Sequence, residues 1–491
     1  MWASVFGQPL PAAESRRPNV VILYADDMGW GDLGIQNPDS KIPTPHLDEL
    51  AQQGTRFTDG HSSSGICTPS RYALLNGRYH WRKFHGIVNS FDESVMDADR
   101  LTIAEVLKDK GYRTACIGKW HLGWNWQAIK KPGAQLRKID GGKPAYASDD
   151  FDWTKAIPDG PLAHGFDYYF GDDVPNFPPY TWIENDKVTL APSVSLTTTA
   201  KTAEGSWEAR PGPSAKDWDF WNVMPTLTKT AVRWIHEQSP EQPFFLYFPF
   251  TSPHAPIVPT KEFIGKSQAN GYGDFVVQTD DTVGQVLKAL KEKGFDQNTL
   301  VIFTADNGPE RYAYDRIRNF EHRSMGPLRG LKRDIWEGGH RVPFLVRWPG
   351  VVAEGAVSDG LISQIDLHAT IAGIVQHELP PGTAQDSYDQ LALLKGGASA
   401  RTTIIHNTKA DHYAIRHEDW VLIQGKSGGV SAVPAWFDEQ NGYAKNSLPG
   451  ALYNLRTDQA QKNNLYSKHP EIVADLERRL TTLRNEPQVR R

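Results

Sequence analysis

Asn19-Val20-Val21-Ile22-Leu23-Tyr24-Ala25-Asp26-Asp27 is the stretch on which the fold turns. A β-rich, unbroken apolar run stops at two aspartates. Pro243-Phe244-Phe245-Leu246-Tyr247-Phe248 and Thr299-Leu300-Val301-Ile302-Phe303-Thr304 repeat the form, the latter ending at Asp306-Asn307. A strand with one wet face alternates polar with apolar residues. Runs without alternation predict strands covered on both faces, as in parallel α/β sheets. Helical patterns lie between them. Leu101 to Lys110 is apolar at 101, 103, 104, 106 and 107 and stops at Gly111. Phe275 to Lys293 has helical spacing with Gly294 as its C′ residue, and Pro225 to Gln238 starts on proline and gathers Leu227, Ala231, Trp234 and Ile235 on one side. Strands alternating with helices predict a doubly wound α/β fold, a large mostly parallel sheet sandwiched by helices.

The pattern changes after Ile374. His377 to Ala400 reads as a connector. Thr402 to Ile405, Tyr413 to Arg416 and Trp420 to Gln424 read as short antiparallel strands, and Pro470 to Leu483 as a closing helix. The expected division is therefore a catalytic α/β domain over 18–395 and a smaller C-terminal α+β subdomain over 396–491. Residues 125–222 are polar, rich in Pro and Gly, and aperiodic apart from a hairpin pattern at Tyr180 to Leu190. Insertions of this kind commonly border a site. Residues 1–17 lack a basic start and a 7–15-residue apolar stretch, so they do not make an intact secretory signal and read as a leader remnant or disordered segment.

Composition narrows the partners. Lys and Arg number 53 against 58 Asp and Glu, a net charge of −5, and no long basic stripe occurs, which argues against nucleic acid. No apolar run approaches the roughly 20 residues that span a bilayer. Cys67 and Cys116 are the two cysteines. Cys116 lies in an apolar strand pattern and reads as an inert buried thiol; a Cys67–Cys116 disulfide is conceivable, but two cysteines make no disulfide framework. The composition leaves oligomeric state open.

Ligands of doubly wound sheets bind beyond the carboxyl ends of the strands. Asp26-Asp27, Lys119-Trp120-His121, His254 and Asp306-Asn307 all stand there, so residues far apart in sequence can meet in one cleft. Asp-Asp and Asp-Asn-Gly also make turns, but their coincidence favours metal ligands. Asp26, Asp27, Asp306 and Asn307 offer only oxygen, which selects calcium, or magnesium, over zinc. Gly29-Trp30-Gly31-Asp32-Leu33-Gly34 has the Gly-x-Gly-x-x-Gly spacing after a strand, yet the two preceding acids would repel a pyrophosphate, so a dinucleotide site is discounted.

Cys67-Thr68-Pro69-Ser70-Arg71, with Gly118-Lys119-Trp120-His121-Leu122-Gly123, Ser252-Pro253-His254-Ala255-Pro256, Gly330-Leu331-Lys332 and Glu337-Gly338-Gly339-His340-Arg341-Val342-Pro343, resembles the formylglycine-dependent (type I) sulfatases over most of residues 19–370. The resemblance implies an alkaline phosphatase-like α/β fold and a sulfuric ester hydrolase acting on a sulfated carbohydrate, a marine galactan or a glycosaminoglycan. Cys67 would be oxidised to formylglycine by a formylglycine-generating enzyme. Its hydrate would attack sulfur and complete the ligands of the metal held by Asp26, Asp27, Asp306 and Asn307. Arg71 and Lys119 would hold the hydrate, and His121 would take a proton from it to expel sulfate. His254 and Lys332 would bind sulfate and assist the leaving oxygen. The resemblance also implies a periplasmic or secreted protein. Trp124, Asn125 and Trp126 are candidates for the floor of a sugar subsite, and His322, Arg323 and Arg329 for contact with a polyanion. Two competitors remain: a phosphonate monoester or phosphodiester hydrolase, whose metal set tends to include histidine, and a non-catalytic glycan-binding relative.

Overall fold

The computed structural model describes residues 17–138, 144–197, 201–205 and 208–486. The leader expected over 1–17 lies outside these residues apart from Arg17.

Ten strands form the main sheet: β1 Asn19–Ala25, β2 Thr55–Phe57, β3 Arg113–Ile117, β4 Tyr168–Gly171, β5 Ile183–Glu184, β6 Lys187–Val188, β7 Phe244–Pro249, β8 Thr299–Ala305, β9 Phe344–Arg347 and β10 Ala356–Ser358. Their order is β10-β2-β9-β8-β1-β7-β3-β4-β5-β6. The centre, β8-β1-β7-β3-β4, is parallel throughout. Antiparallel pairs appear toward both margins, where β9 joins β8 to β2 and the hairpin β5–β6 follows β4.

The unbroken apolar run of β1 has its cause in two cores. Val21, Leu23 and Ala25 pack on the face covered by α1 (Pro45–Gln52), α4 (Val223–His236) and α5 (Asn270–Glu292). Val20, Ile22 and Tyr24 pack on the other, with Ile103 and Leu107 of α3 (Ile103–Asp109) and Leu367 and Ile371 of α6 (Leu367–Ile374). Burial on both sides removes any selection for alternation. Helix α3 is closed by a capping box between Thr102 and Glu105. Helix α5 starts earlier than its sequence pattern, because Gly271 and Gly273 in its first turns carry no apolar signal; each is seated where a Cβ would strike Ala203 or Ser267.

Beyond the connector, β11 (Thr403–Lys409), β12 (His412–His417), β13 (Trp420–Gln424) and β14 (Gly450–Asn454) form an antiparallel meander. The fourth strand was not legible in the sequence. Helix α7 (Pro470–Asn485) covers the sheet through Val473, Leu476 and Leu480, in one cluster with Tyr79, Trp81 and Ile365 from the main domain. Two buried ion pairs cross the same junction, Arg416 to Asp59 at 2.7 Å and Arg401 Nε to Asp366 at 2.8 Å.

Cys67 and Cys116 are both free and buried, so the conceivable disulfide does not form. Among the described residues no helix is long and apolar enough to cross a membrane. Gly29 and Gly31 serve close backbone approach: a Cβ at either would lie 2.0 Å from the Ser324 carbonyl oxygen or 2.3 Å from that of Arg323.

Candidate active site

The carboxyl ends of the parallel strands carry the site. Asp26 and Asp27 follow β1, Lys119 and His121 follow β3, His254 follows β7, and Asp306 and Asn307 follow β8. Cys67 is the first residue of α2 (Cys67–Asn76), entered from an extended Ile66, with the helix N-terminus favouring negative charge on its side chain. Asp27 and His121 hold left-handed backbone at φ 63° and 53°. Such geometry is uncommon for non-glycine residues and gathers at functional sites.

Three carboxylates share a dry space. Ligand atoms of Asp26, Cys67 and Asp306 lie within 4.8 Å of one another, as do those of Asp26, Asp27 and His254. Lys119 Nζ donates to Asp26 Oδ2 at 2.6 Å, Lys332 Nζ to Asp27 Oδ1 at 2.6 Å, and Arg71 to Asp306 Oδ2 through Nε at 3.1 Å and a terminal nitrogen at 2.8 Å. Asn307 Nδ2 donates to Asp27 Oδ1 at 2.7 Å. Burial and the neighbouring Asp26 push Asp306 up to about 6. Burial would also raise Asp27, but the Lys332 ammonium and His254 outweigh it and hold its carboxyl below the usual range.

A divalent cation fits here. Asp26 Oδ1 and Asn307 Oδ1 are buried acceptors with no protein donor. Oxygens from three carboxylates and an amide make a hard-ligand set suited to calcium.

Arg71 and Lys119 pair with the acidic ligands, and Lys119 lies near enough to Cys67 to favour its ionised form. Both are fully buried, and Arg71 also donates to the Lys119 carbonyl at 3.0 Å. The reason for the pairing is charge: three clustered carboxylates in a low-dielectric site require fixed cations.

In front lies a cavity of ≈ 420 Å³ lined by Cys67, His121, His254 and Lys332, with Asn176, Phe177, Glu208, Arg210 and Arg333 completing the wall. His121 donates Nε2–H to the Val88 carbonyl at 2.9 Å, leaving Nδ1 as a buried lone pair with no partner. Burial, then Lys119 and Arg71, hold its pKa well below the ordinary value, so the ring is neutral and suited to accept a proton. His254 Nδ1 lies 2.5 Å from the Ala255 carbonyl, which fixes that proton and leaves Nε2 3.7 Å from Asp27. Burial and Lys332 lower it to about 4. A bound sulfate would supply the negative charge that restores its proton. Burial raises the Cys67 thiol despite Lys119 and Lys332, so the unmodified side chain is a poor thiolate.

None of the six proposed substrate contacts lines this cavity. Trp124 and Trp126 are 0% and 1% exposed, packed on Tyr169 and Phe91. Apolar rings of that size gain more from the core than from a wet loop. Asn125 is exposed but outside the cavity lining. His322 is fully buried and bonded to Asp32 at 2.8 Å. Arg323 packs over Phe437, and Arg329 lies between Trp336 and Tyr443 and donates to the Gln461 carbonyl. The wall comes instead from the 125–222 insertion, as Asn176, Phe177, Glu208 and Arg210, and from Arg333 beside Lys332. Arg210 lies 3.7 Å over the Phe177 ring, and Arg333 (φ 79°) pairs with Glu310 at 2.7 Å. The insertion was legible as a site border, but no motif marked these positions. Asp172 is buried with neither oxygen paired, and burial and Asp173 push it up to about 7.

A thiol at a helix N-terminus, hard-ligand carboxylates and two histidines at the strand ends of a parallel sheet define an α/β ester hydrolase. The sulfatase family model matches residues 18–377, and the chain belongs to that family. It is similar, at 32% identity over 96% of this chain and 94% of the relative, to the N-acetylgalactosamine-6-O-sulfatase of Bacteroides thetaiotaomicron. At 33% identity over 92% of this chain and 84% of the relative, it is similar to Homo sapiens arylsulfatase A. A solved structure described under the metabolism of multiple glycosaminoglycans by Bacteroides thetaiotaomicron superposes with a TM-score of 0.80 at 30% identity, covering 96% of this chain and 100% of that one. The chain is a sulfatase, and its mostly parallel sheet with a separate antiparallel sheet is the fold the resemblance implied.

Proposed function

We propose that this sulfatase removes sulfate from a glycosaminoglycan-type carbohydrate, with the 6-O-sulfate of N-acetylgalactosamine as the substrate class, using formylglycine made from Cys67. The observation that carries it is the convergence of Cys67, the orphaned oxygens of Asp26 and Asn307, and the inward faces of His121, His254 and Lys332 on one cavity. The sugar and the sulfate position rest on the name of the bacterial relative that matches nearly end to end. Two guanidinium groups at the wall, Arg210 and Arg333, suit a polyanionic chain.

A metal held by Asp26, Asp27, Asp306 and Asn307 would supply positive charge that eases ionisation of the nucleophile. The chain's own residues do the rest. Lys332 binds a sulfate oxygen, His254 delivers a proton to the leaving sugar oxygen, and the unpaired Nδ1 of His121 receives the proton that closes the cycle. Fixed donors of this kind contribute ~3–4 kcal/mol each to a transition state. Cys67 is 3% exposed, so a formylglycine-generating enzyme reaches it before the chain folds.

Sulfate release from N-acetylgalactosamine carrying sulfate at position 6 or 4, beside matched aryl sulfates and aryl phosphates, tests the reading. Selective release from the 6-sulfated sugar supports it. Release confined to the 4-sulfated sugar overturns the assigned position, and faster turnover of phosphate esters points to the phosphodiesterase-like alternative. Metal analysis is expected to find about one calcium per chain, lost when Asp306→Asn is introduced.

A further inference from the structure

Three histidines meet away from the catalytic cavity. His61 ends the short strand Gly60–His61, His340 ends the helical turn Glu337–His340, and His406 lies in β11 of the C-terminal sheet. They are 0%, 1% and 2% exposed, and one ring nitrogen from each falls within a 4.8 Å cluster. We propose that His61, His340 and His406 form a binding site for a zinc-class divalent ion, distinct from the oxygen-lined catalytic site.

The ring nitrogens converge on one another. His61 Nε2 lies 2.9 Å from Asp59 Oδ1. A neutral imidazole carries one proton. With the His61 proton on Nε2, its Nδ1 presents a lone pair and lies 3.1 Å from His340 Nδ1. Nitrogens bound tetrahedrally to zinc at about 2.0–2.1 Å stand about 3.3 Å apart, close to the spacing here. Both nitrogens of His406 are buried without any partner, an independent mark of missing coordination. Asp59 behind His61 supplies the carboxylate–histidine arrangement that orients metal ligands. Imidazole nitrogen selects zinc, cobalt, nickel or copper over calcium.

The charges around the cluster balance. Asp59 and Glu337 face Arg341 and Arg416, so the ion must be held by neutral imidazoles. The rings of His340 and His406 stack at 3.3 Å with 10° between their planes. A metal lies in the plane of each imidazole it binds, so binding turns His406 out of this stack. The ion would join the C-terminal sheet to the segment leading into Cys67. Ser62 N donates to the His340 carbonyl at 2.8 Å, Ser64 Oγ to that of Asn407 at 2.6 Å, and Ser70 Oγ of α2 to that of Ser64 at 3.0 Å.

The test uses full-length protein without an affinity tag, equilibrated with zinc chloride and with cobalt chloride. Expected are one zinc bound per chain in addition to calcium, a rise in unfolding midpoint of about 3 °C at a hundredfold excess over Kd, and visible cobalt absorption with nitrogen-ligand character. His406→Gln should lose the zinc, while Asp306→Asn at the catalytic site should keep it. The cobalt spectrum of the unmutated chain decides the matter if His406→Gln does not fold. No zinc or cobalt bound, zinc retained in a folded His406→Gln, or zinc lost with Asp306→Asn would each overturn the site.

Discussion

At the residue scale, the chemistry divides between side chains that face the cavity and those that brace it. Cys67, His121, His254 and Lys332 line it, while Arg71 and Lys119 pair with the carboxylates of the metal set. Position 67 should carry an aldehyde in active preparations, seen as loss of the thiol in peptide mass spectrometry. Cys67→Ala should abolish turnover and leave the unfolding midpoint little changed; full activity with an intact thiol would remove the nucleophile from this scheme. His254→Ala is expected to cost roughly 10²–10⁴-fold on sugar sulfates and far less on activated aryl sulfates, because a phenolate leaves without an acid. Equal losses on both, read as kcat for each leaving group, would remove His254 from the role of leaving-group acid.

At the scale of elements, helix α1 shows how ends are satisfied over long sequence distance. Thr44, before its first turn, makes no cap; its hydroxyl donates to Asp48. Asp280 of α5 accepts instead from His46 N at 3.2 Å and Leu47 N at 2.8 Å. Burial nevertheless raises Asp280 to about 6, above the roughly 3.9 of an unfolded aspartate. A raised folded pKa means the protonated form is favoured in the folded state. The associated stability is complete below about pH 4 and is lost as pH rises through about 6, on the order of 3 kcal/mol. Asp280→Asn should flatten the decline of thermal midpoint over that window, measured by calorimetry in steps of pH. An unaltered slope would show that another group titrates there.

At the scale of the whole molecule, the C-terminal sheet is part of one buried network. Tyr79 and Trp81 pack into its core, Arg401 and Arg416 reach buried aspartates of the main domain, and Ser64, three residues before Cys67, bonds to Asn407. Removing one partner of a buried pair typically costs about 3–5 kcal/mol. A chain ending at residue 395 takes Arg416 from Asp59 and Arg401 from Asp366 and bares an apolar face. It should be insoluble or lack a cooperative transition, as read by near-ultraviolet circular dichroism and thermal melting. A soluble, cooperatively melting 1–395 chain would show that the α/β domain stands alone.

The sequence by itself determined the parallel core strands, the helices between them and the acids, amide, lysine and histidines at the strand ends. These signals are local: unbroken apolar runs, helical spacing, and polar residues where a strand stops. Tertiary structure alone decided which aromatic and cationic side chains meet the cavity. Trp124, Trp126 and His322 read as exposed contacts because their motifs adjoin reactive ones, yet packing from distant segments buries them. Asn176, Glu208, Arg210 and Arg333 reach the cavity through irregular backbone that no periodicity reports. The meeting of His61, His340 and His406 was hidden for the same reason, since each histidine lies in a different element and only their packing brings the three rings together.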